Sequence, residues 1–250
     1  MDHHCRMPVH PATQKATLLS MLRVDRALTT VQLERRGLLQ AADWLGLPRV
    51  TYTCRTRVTQ SDSCVDLTFV SMDESWLKSS PRDLMHWAGL GEARAQLGRV
   101  KLDLPAHRWQ HVDLGGRHKS HLPDAELIGP AGQTDRDGAV EFDAGYSPAK
   151  VALKMEAAAA AGYRLLIWAT SIHRRTITVP EQAREFHRLG LLPDLVGVIV
   201  LFVDFWSAVS PYDDRPRCHK PMHAVVRCTG AASAGRAGGR VRNPGAAGTR

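Results

Sequence analysis

The chain of 250 residues is poor in cysteine, and what it has is not spaced for pairing. Cys5, Cys54, Cys64, Cys218 and Cys228 include no C-x-x-C. An odd count with that spacing argues against a disulfide framework and against a structural zinc. Cys54 and Cys64 can face each other across a hairpin, although small buried thiols are the plainer expectation. Long apolar runs are also missing. The strongest, LLPDLVGVIVLFVDFW at 191–206, is interrupted by Pro193, Asp194 and Asp204. It falls short of the roughly 18 residues a membrane span needs and reads as a buried strand. The opening MDHHCRMPVHPATQ has no apolar stretch behind its charges. No signal peptide is therefore expected, and the expected compartment is the cytoplasm. Aromatics are sparse at 6%, yet 44% of the residues are hydrophobic, which suits a globular protein of one large domain or two small ones.

Acidic residues are absent from the last stretch. Residues 215–250 hold Arg215, Arg217, Lys220, Arg227, Arg236, Arg240, Arg242 and Arg250, and no Asp or Glu. Those eight charges equal the formal net charge of +8, so residues 1–214 balance to zero. Residues 1–60 are themselves basic, with nine Lys/Arg against four Asp/Glu, which leaves residues 61–214 acidic. Basic ends suit a polyanionic partner. An acidic middle suits a cation-binding centre or a solvated surface.

Hydrophobic spacing divides the chain into parts. Residues 1–12 and the Gly/Arg-rich 213–250 lack the apolar content to order themselves and are expected to be disordered. Over 13–72, Leu18, Leu19 and Leu22 mark one helix and Leu28, Val31 and Leu33 a second, capped by Thr29 or Thr30 and stopped by Gly37. LLQAADWLG predicts a third helix, and RVTYTCRTRVTQSDSCVDLTFVS alternates as a hairpin. Three helices and a hairpin in a basic segment are the plan of a winged helix-turn-helix. On that plan Arg35, Arg36, Arg49, Arg55 and Arg57 are the expected phosphate contacts.

From 73 to 212 the pattern changes to α/β. DESWLKSSPRDLMHWAGLGEARAQLG is helical, with Ser80 and Pro81 at a start, and 99–122 reads as irregular with short strands. Then strand, turn, strand, helix, strand, helix and strand follow, an α/β layer. On the second of these strands, AVEFDAG, Glu141 and Asp143 are two apart and share a face, opposite Val140 and Phe142. Asp124 precedes the neighbouring strand. Three converging carboxylates are the oxygen donors that Mg²⁺ or Mn²⁺ prefers. Such an ion activates water and offsets charge on a phosphodiester. Lys150 and Lys154 lie one turn apart on the next helix, and a Lys there can reach water or a phosphate. His118 and His121 lie close to Asp124 in sequence, and Arg174 and Arg175 follow the strand YRLLIWATS at its carboxyl end, where anionic ligands bind in open α/β sheets. Taken singly, each of these features is ordinary: a turn Asp, a solvent-facing strand pair, surface lysines. Their order is what suggests a site.

Pro-Asp, then Glu-x-Asp on a second strand, then Lys resembles the PD-(D/E)xK nuclease superfamily. Asp143 stands where the second motif has Lys, and Lys154 on the following helix takes that part. The ordered set TLLSMLRVDRALTTVQLERRG, HRWQHVDLGG, HLPDAEL and VEFDAGYSPAKVALKMEAAAAAGYR also resembles the replication-relaxation proteins of plasmids and mobile elements, over about residues 13–206. RWQHVDL departs from their pattern, with Gln110 and Asp113 where a Trp is followed by Glu. The resemblance implies a winged helix (13–72) joined to a restriction-endonuclease-like domain (73–212) in an α+β protein. It implies double-stranded DNA and replication or mobilisation proteins as partners, with no membrane. Asp124, Glu141, Asp143 and Lys154 would be catalytic, and the three carboxylates would hold Mg²⁺ or Mn²⁺. Two alternatives stand beside it: a non-catalytic DNA-binding module with a degenerate nuclease-like domain, and a transcriptional regulator with a ligand-sensing α/β domain.

Overall fold

A computed structural model describes residues 9–56, 64–100, 107–112, 122–129, 136–193, 195–209, 212 and 222–228. It is an α+β structure with one antiparallel and one mixed sheet. Among the described residues, no helix is long and apolar enough to cross a membrane.

The first unit runs α1 (Pro11–Asp25), β1 (Ala27–Thr29), α2 (Thr30–Arg35), α3 (Leu39–Trp44), β2 (Arg49–Arg55) and β3 (Cys64–Ser71). The strands form an antiparallel sheet in the order β1-β3-β2. Leu18, Leu22, Leu28, Leu33, Leu38, Ala41, Ala42 and Val70 close its core. Thr29 starts α2 with a full capping box: its hydroxyl accepts from the Gln32 N–H, and the Gln32 side chain accepts from the Thr29 N–H. Gly37 and Gly46 end α2 and α3 at φ 65° and 59°, the left-handed conformation glycine adopts without strain. Leu28, expected in a helix, lies instead in β1, a three-residue strand that pairs with β3 through Leu28 and Val70. Cys54 and Cys64 are not joined by a disulfide; Cys54 opposes Val65 and Cys64 opposes Arg55, so the two are out of register.

After the short α4 (Glu74–Leu77) comes α5 (Pro81–Leu97), capped by Ser80 with Pro81 in its first turn. This helix lies between the first unit and a six-stranded sheet. A Cβ at Gly89 would overlap the Phe142 ring of that sheet, and one at Gly91 would stand 2.7 Å from Leu28 Cδ2 of the first unit. Glycine therefore lets the helix approach both neighbours closely. The sheet runs β4 (Arg108–His111), β5 (Ala125–Ile128), β6 (Arg136–Asp143), β7 (Leu165–Thr170), β8 (Gly197–Phe202) and β9 (His223–Arg227), in that spatial order. β6, β7 and β8 are parallel; β4-β5-β6 and β8-β9 are antiparallel. α6 (Pro148–Ala160) and α7 (Arg175–Arg188) connect the parallel strands. Val140, Phe142, Ile167, Ala169, Ile199 and Leu201 pack toward α5. Ala139, Leu166, Trp168, Val198 and Val200 pack toward α6 and α7 on the other face.

β9 corrects one expectation. The stretch from 213 onward was expected to be disordered throughout, yet His223–Arg227 pairs with β8 as an edge strand. The β-branched pair Val225-Val226 is the signal, and it is too short to stand out from its Gly/Arg-rich surroundings.

Candidate active site

Asp124 sits where β5 begins. Its N–H donates to the Val140 carbonyl at 2.9 Å, and its carboxylate Oδ2 accepts the Phe142 N–H at 2.8 Å. The Asp124 side chain thus supplies the acceptor for the next backbone donor of β6. One oxygen is thereby fixed against β6. The other faces α5, where His86 Nε2 lies 3.3 Å from Oδ1.

Glu141 lies on the β6 face that looks toward α6. Lys154 Nζ donates to its Oε1 at 2.9 Å and to the Leu122 carbonyl at 2.7 Å. One ammonium thus ties the 122–124 segment to β6. Glu141 is 2% exposed and Lys154 5%. Glu141 Oε2 is buried and has no hydrogen-bond partner. A buried polar oxygen without a partner is costly and asks for a proton or a cation.

The electrostatics divide the two carboxyls. Burial, and then the charge of Asp124, raise the Glu141 pKa to about 8 against the pull of Lys154. Burial also works to raise Asp124. The His86 hydrogen bond and charge, the Phe142 N–H and Lys154 outweigh it and hold Asp124 below the ordinary value. Near neutral pH the pair therefore keeps one carboxylate and one carboxylic acid. Tyr146, in the loop after β6, feels the same charges. Burial and the charges of Asp124, Glu141 and Asp143 push its hydroxyl pKa up, so it stays a donor.

Asp143, expected as a third ligand, has other partners in this structure. It shares the strand face with Glu141, as its spacing predicts, but it is fully buried and its oxygens are occupied. Oδ1 accepts the Gly145 and Tyr146 N–H groups at 2.7 and 2.5 Å. Oδ2 faces Arg175 Nε at 3.2 Å and Trp168 Nε1 at 3.4 Å. The carboxylate folds the β6–α6 loop and neutralises Arg175. Arg175 also donates to the Tyr146 carbonyl, so it is held in the interior and is not offered to a phosphate. Arg174 stands exposed at the start of α7.

Two of the expected DNA contacts also turn inward. Arg36 Nη2 lies 2.6 Å from Glu92 Oε2, and Arg35 donates to the Asp204 carbonyl and faces the same Glu92 at 3.6 Å. Gln32 and Gln96 complete the shell around Glu92. These arginines fasten α2 to α5 because an acid buried on α5 needs them. Arg49 pairs with Asp43 at the surface, and Arg55 is exposed at the end of β2. Arg57, His118 and His121 lie outside the described residues.

Among the described residues no three His, Cys, Asp or Glu side chains gather closely enough to hold a metal ion. The pair that remains, Asp124 and Glu141, still suits a hard divalent cation. It offers only oxygen donors, one of them unpartnered, and water can fill the other positions of an octahedral ion. His86 was missed from the sequence, because a His within an apolar helix carries no local sign of the strand it will meet. Comparison of the chain with protein-family models, with curated proteins and with solved structures finds no match.

Proposed function

We propose that this is a DNA-binding protein of plasmid or mobile-element replication or mobilisation, with a Mg²⁺- or Mn²⁺-dependent centre that cuts DNA phosphodiesters. The order α1-β1-α2-α3-β2-β3 with an antiparallel sheet supports a winged helix, in which α3 enters the major groove and the β2–β3 hairpin is the wing. The order β4-β5-β6-α6-β7 after α5 supports a nuclease-like second unit. The observation that carries the reading is Glu141 Oε2, buried and unpartnered beside Asp124, with Lys154 on the other oxygen.

Asp124 and Glu141 would hold the ion, which when bound supplies a lowered water pKa and charge neutralisation at phosphorus. Phe142 N–H and His86 keep the Asp124 carboxylate aimed and ionised. Lys154 holds Glu141 in place and offsets negative charge that builds on the scissile group. Tyr146 keeps its hydroxyl proton and can donate a hydrogen bond.

The test is nicking of supercoiled plasmid in Mg²⁺ or Mn²⁺. Wild type should nick, and D124N and E141Q should each lose about a hundredfold or more of the rate. Silence from the wild type, with duplex DNA still shifted, would leave the non-catalytic binding module. Asp143 favours that second reading, since the residue in the usual lysine position serves only the loop.

A further inference from the structure

The two carboxyls are approached by two helices in the same manner. On α5, His86 reaches Asp124, and Arg82 lies one turn earlier. On α6, Lys154 reaches Glu141, and Lys150 lies one turn earlier. Residues four apart share a helix face, so each outer group lies on the same face of its helix as its inner companion. Arg82 and Lys150 are both exposed. Among the described residues neither has a carboxylate partner.

Tyr146 stands beside Lys150. Lys150 Nζ lies 3.8 Å from the centre of its ring. The site therefore carries an exposed cation one helical turn outside each of its two inner basic groups, with an aromatic ring under one of them. A carboxylate or a single small anion would need one such cation. Two cations astride a carboxylate pair fit a chain of phosphodiesters, in which the scissile group sits over the carboxyls and its neighbours fall to either side.

We propose that Arg82 and Lys150 grip the backbone phosphates flanking the DNA phosphodiester presented to Asp124 and Glu141. The proposal rests on the nuclease reading for the location of the scissile group, but its test does not need cleavage. The probe is a fluorescent 30-base-pair duplex bound by the full chain, with Ca²⁺ replacing Mg²⁺ so that the duplex stays whole. Affinity is measured against salt. Each phosphate contact contributes about 0.9 to the slope of log K on log salt. R82A and K150A should each lower the slope by about that amount. R82K and K150R should keep it, and so should R188A, which removes an exposed charge at the far end of α7. The conservative pair also guards against a loss of fold.

Slopes of R82A and K150A equal to wild type would overturn the grip, even if the plasmid is still nicked. Lowered slopes without nicking by wild type would uphold the grip and overturn hydrolysis. A wild type that binds no duplex overturns both.

Discussion

At the scale of single residues, Glu141 is the acid that burial perturbs and Asp143 sets the loop. The folded pKa of Glu141 lies above its ordinary value, so the fold prefers the neutral acid. Its stabilising contribution is full below the ordinary value of 4.5 and is lost as pH rises through about 8. E141Q mimics the neutral form, so its melting temperature should match wild type near pH 5 and exceed it near pH 8.5. Mg²⁺ at the higher pH should raise wild type and leave E141Q unmoved. Parallel melting curves across that window would refute the assignment. Asp124 runs the other way: its pKa is held down, so its contribution is present above the ordinary 3.8 and is lost in acid. For Asp143 the expectation differs in kind. D143A strips Arg175 of its carboxylate and two backbone donors of their acceptor, and should cost about 3 kcal/mol or more. D143N retains an acceptor and should still bind Mn²⁺ in a calorimetric titration. Loss of Mn²⁺ binding by a folded D143N would return Asp143 to the ligand set.

At the scale of elements, α5 decides how the parts meet. Gly89 lies against Phe142, whose N–H is the one that holds Asp124. Alanine would favour the helix by up to about 1 kcal/mol, but its methyl group must displace a ring that is 2% exposed. Overpacking should win, lowering stability by about 1–2 kcal/mol, and nicking should fall with it because the ring shift moves the Asp124 acceptor. Thermal melting beside the plasmid assay checks this; a stabilised G89A would show that the contact is loose. Most elements were legible in the sequence. Thr29, Gly37, Gly46, Ser80 and Pro81 mark helix ends by local chemistry, and the alternation of 49–71 marks the hairpin. β1 was not legible, since three residues make no period and only pairing with β3 extends them. β9 was hidden for the same reason.

Across the whole molecule, buried ion pairs join the two units. Asp25 on α1 receives Arg94 of α5 through two bonds, and Glu92 receives Arg36 and Arg35. Thr29 also donates to the Phe205 carbonyl beyond β8. The units should therefore unfold together. R36A should lower stability by about 3 kcal/mol, because it leaves Glu92 under-compensated, and should leave the salt slope of DNA binding unchanged. A lowered slope with unchanged melting would mean that Arg36 turns outward to phosphate. Truncation separates the two parts of the basic end. A chain ending at 228 keeps β9 and should melt as wild type, whereas one ending at 222 uncovers β8 and should melt lower. Equal melting of the two would show that β9 contributes nothing to the sheet.

The sequence by itself determined the local matters: helix caps, strand alternation, the shared face of Glu141 and Asp143, and the surplus of positive charge at the ends. Each follows from groups within a few residues of one another. Tertiary structure alone decided which polar groups meet. Lys154 comes to Glu141 from α6, and His86 comes to Asp124 from α5, thirty-eight positions earlier in the chain. Asp143 has the same spacing and the same face, yet Arg175 and the turn after β6 take its oxygens. Arg35 and Arg36 look like surface cations until the buried Glu92 draws them in. Whether a charge serves solvent, ligand or core depends on the dielectric and the partners around it, and these exist only once the chain has folded.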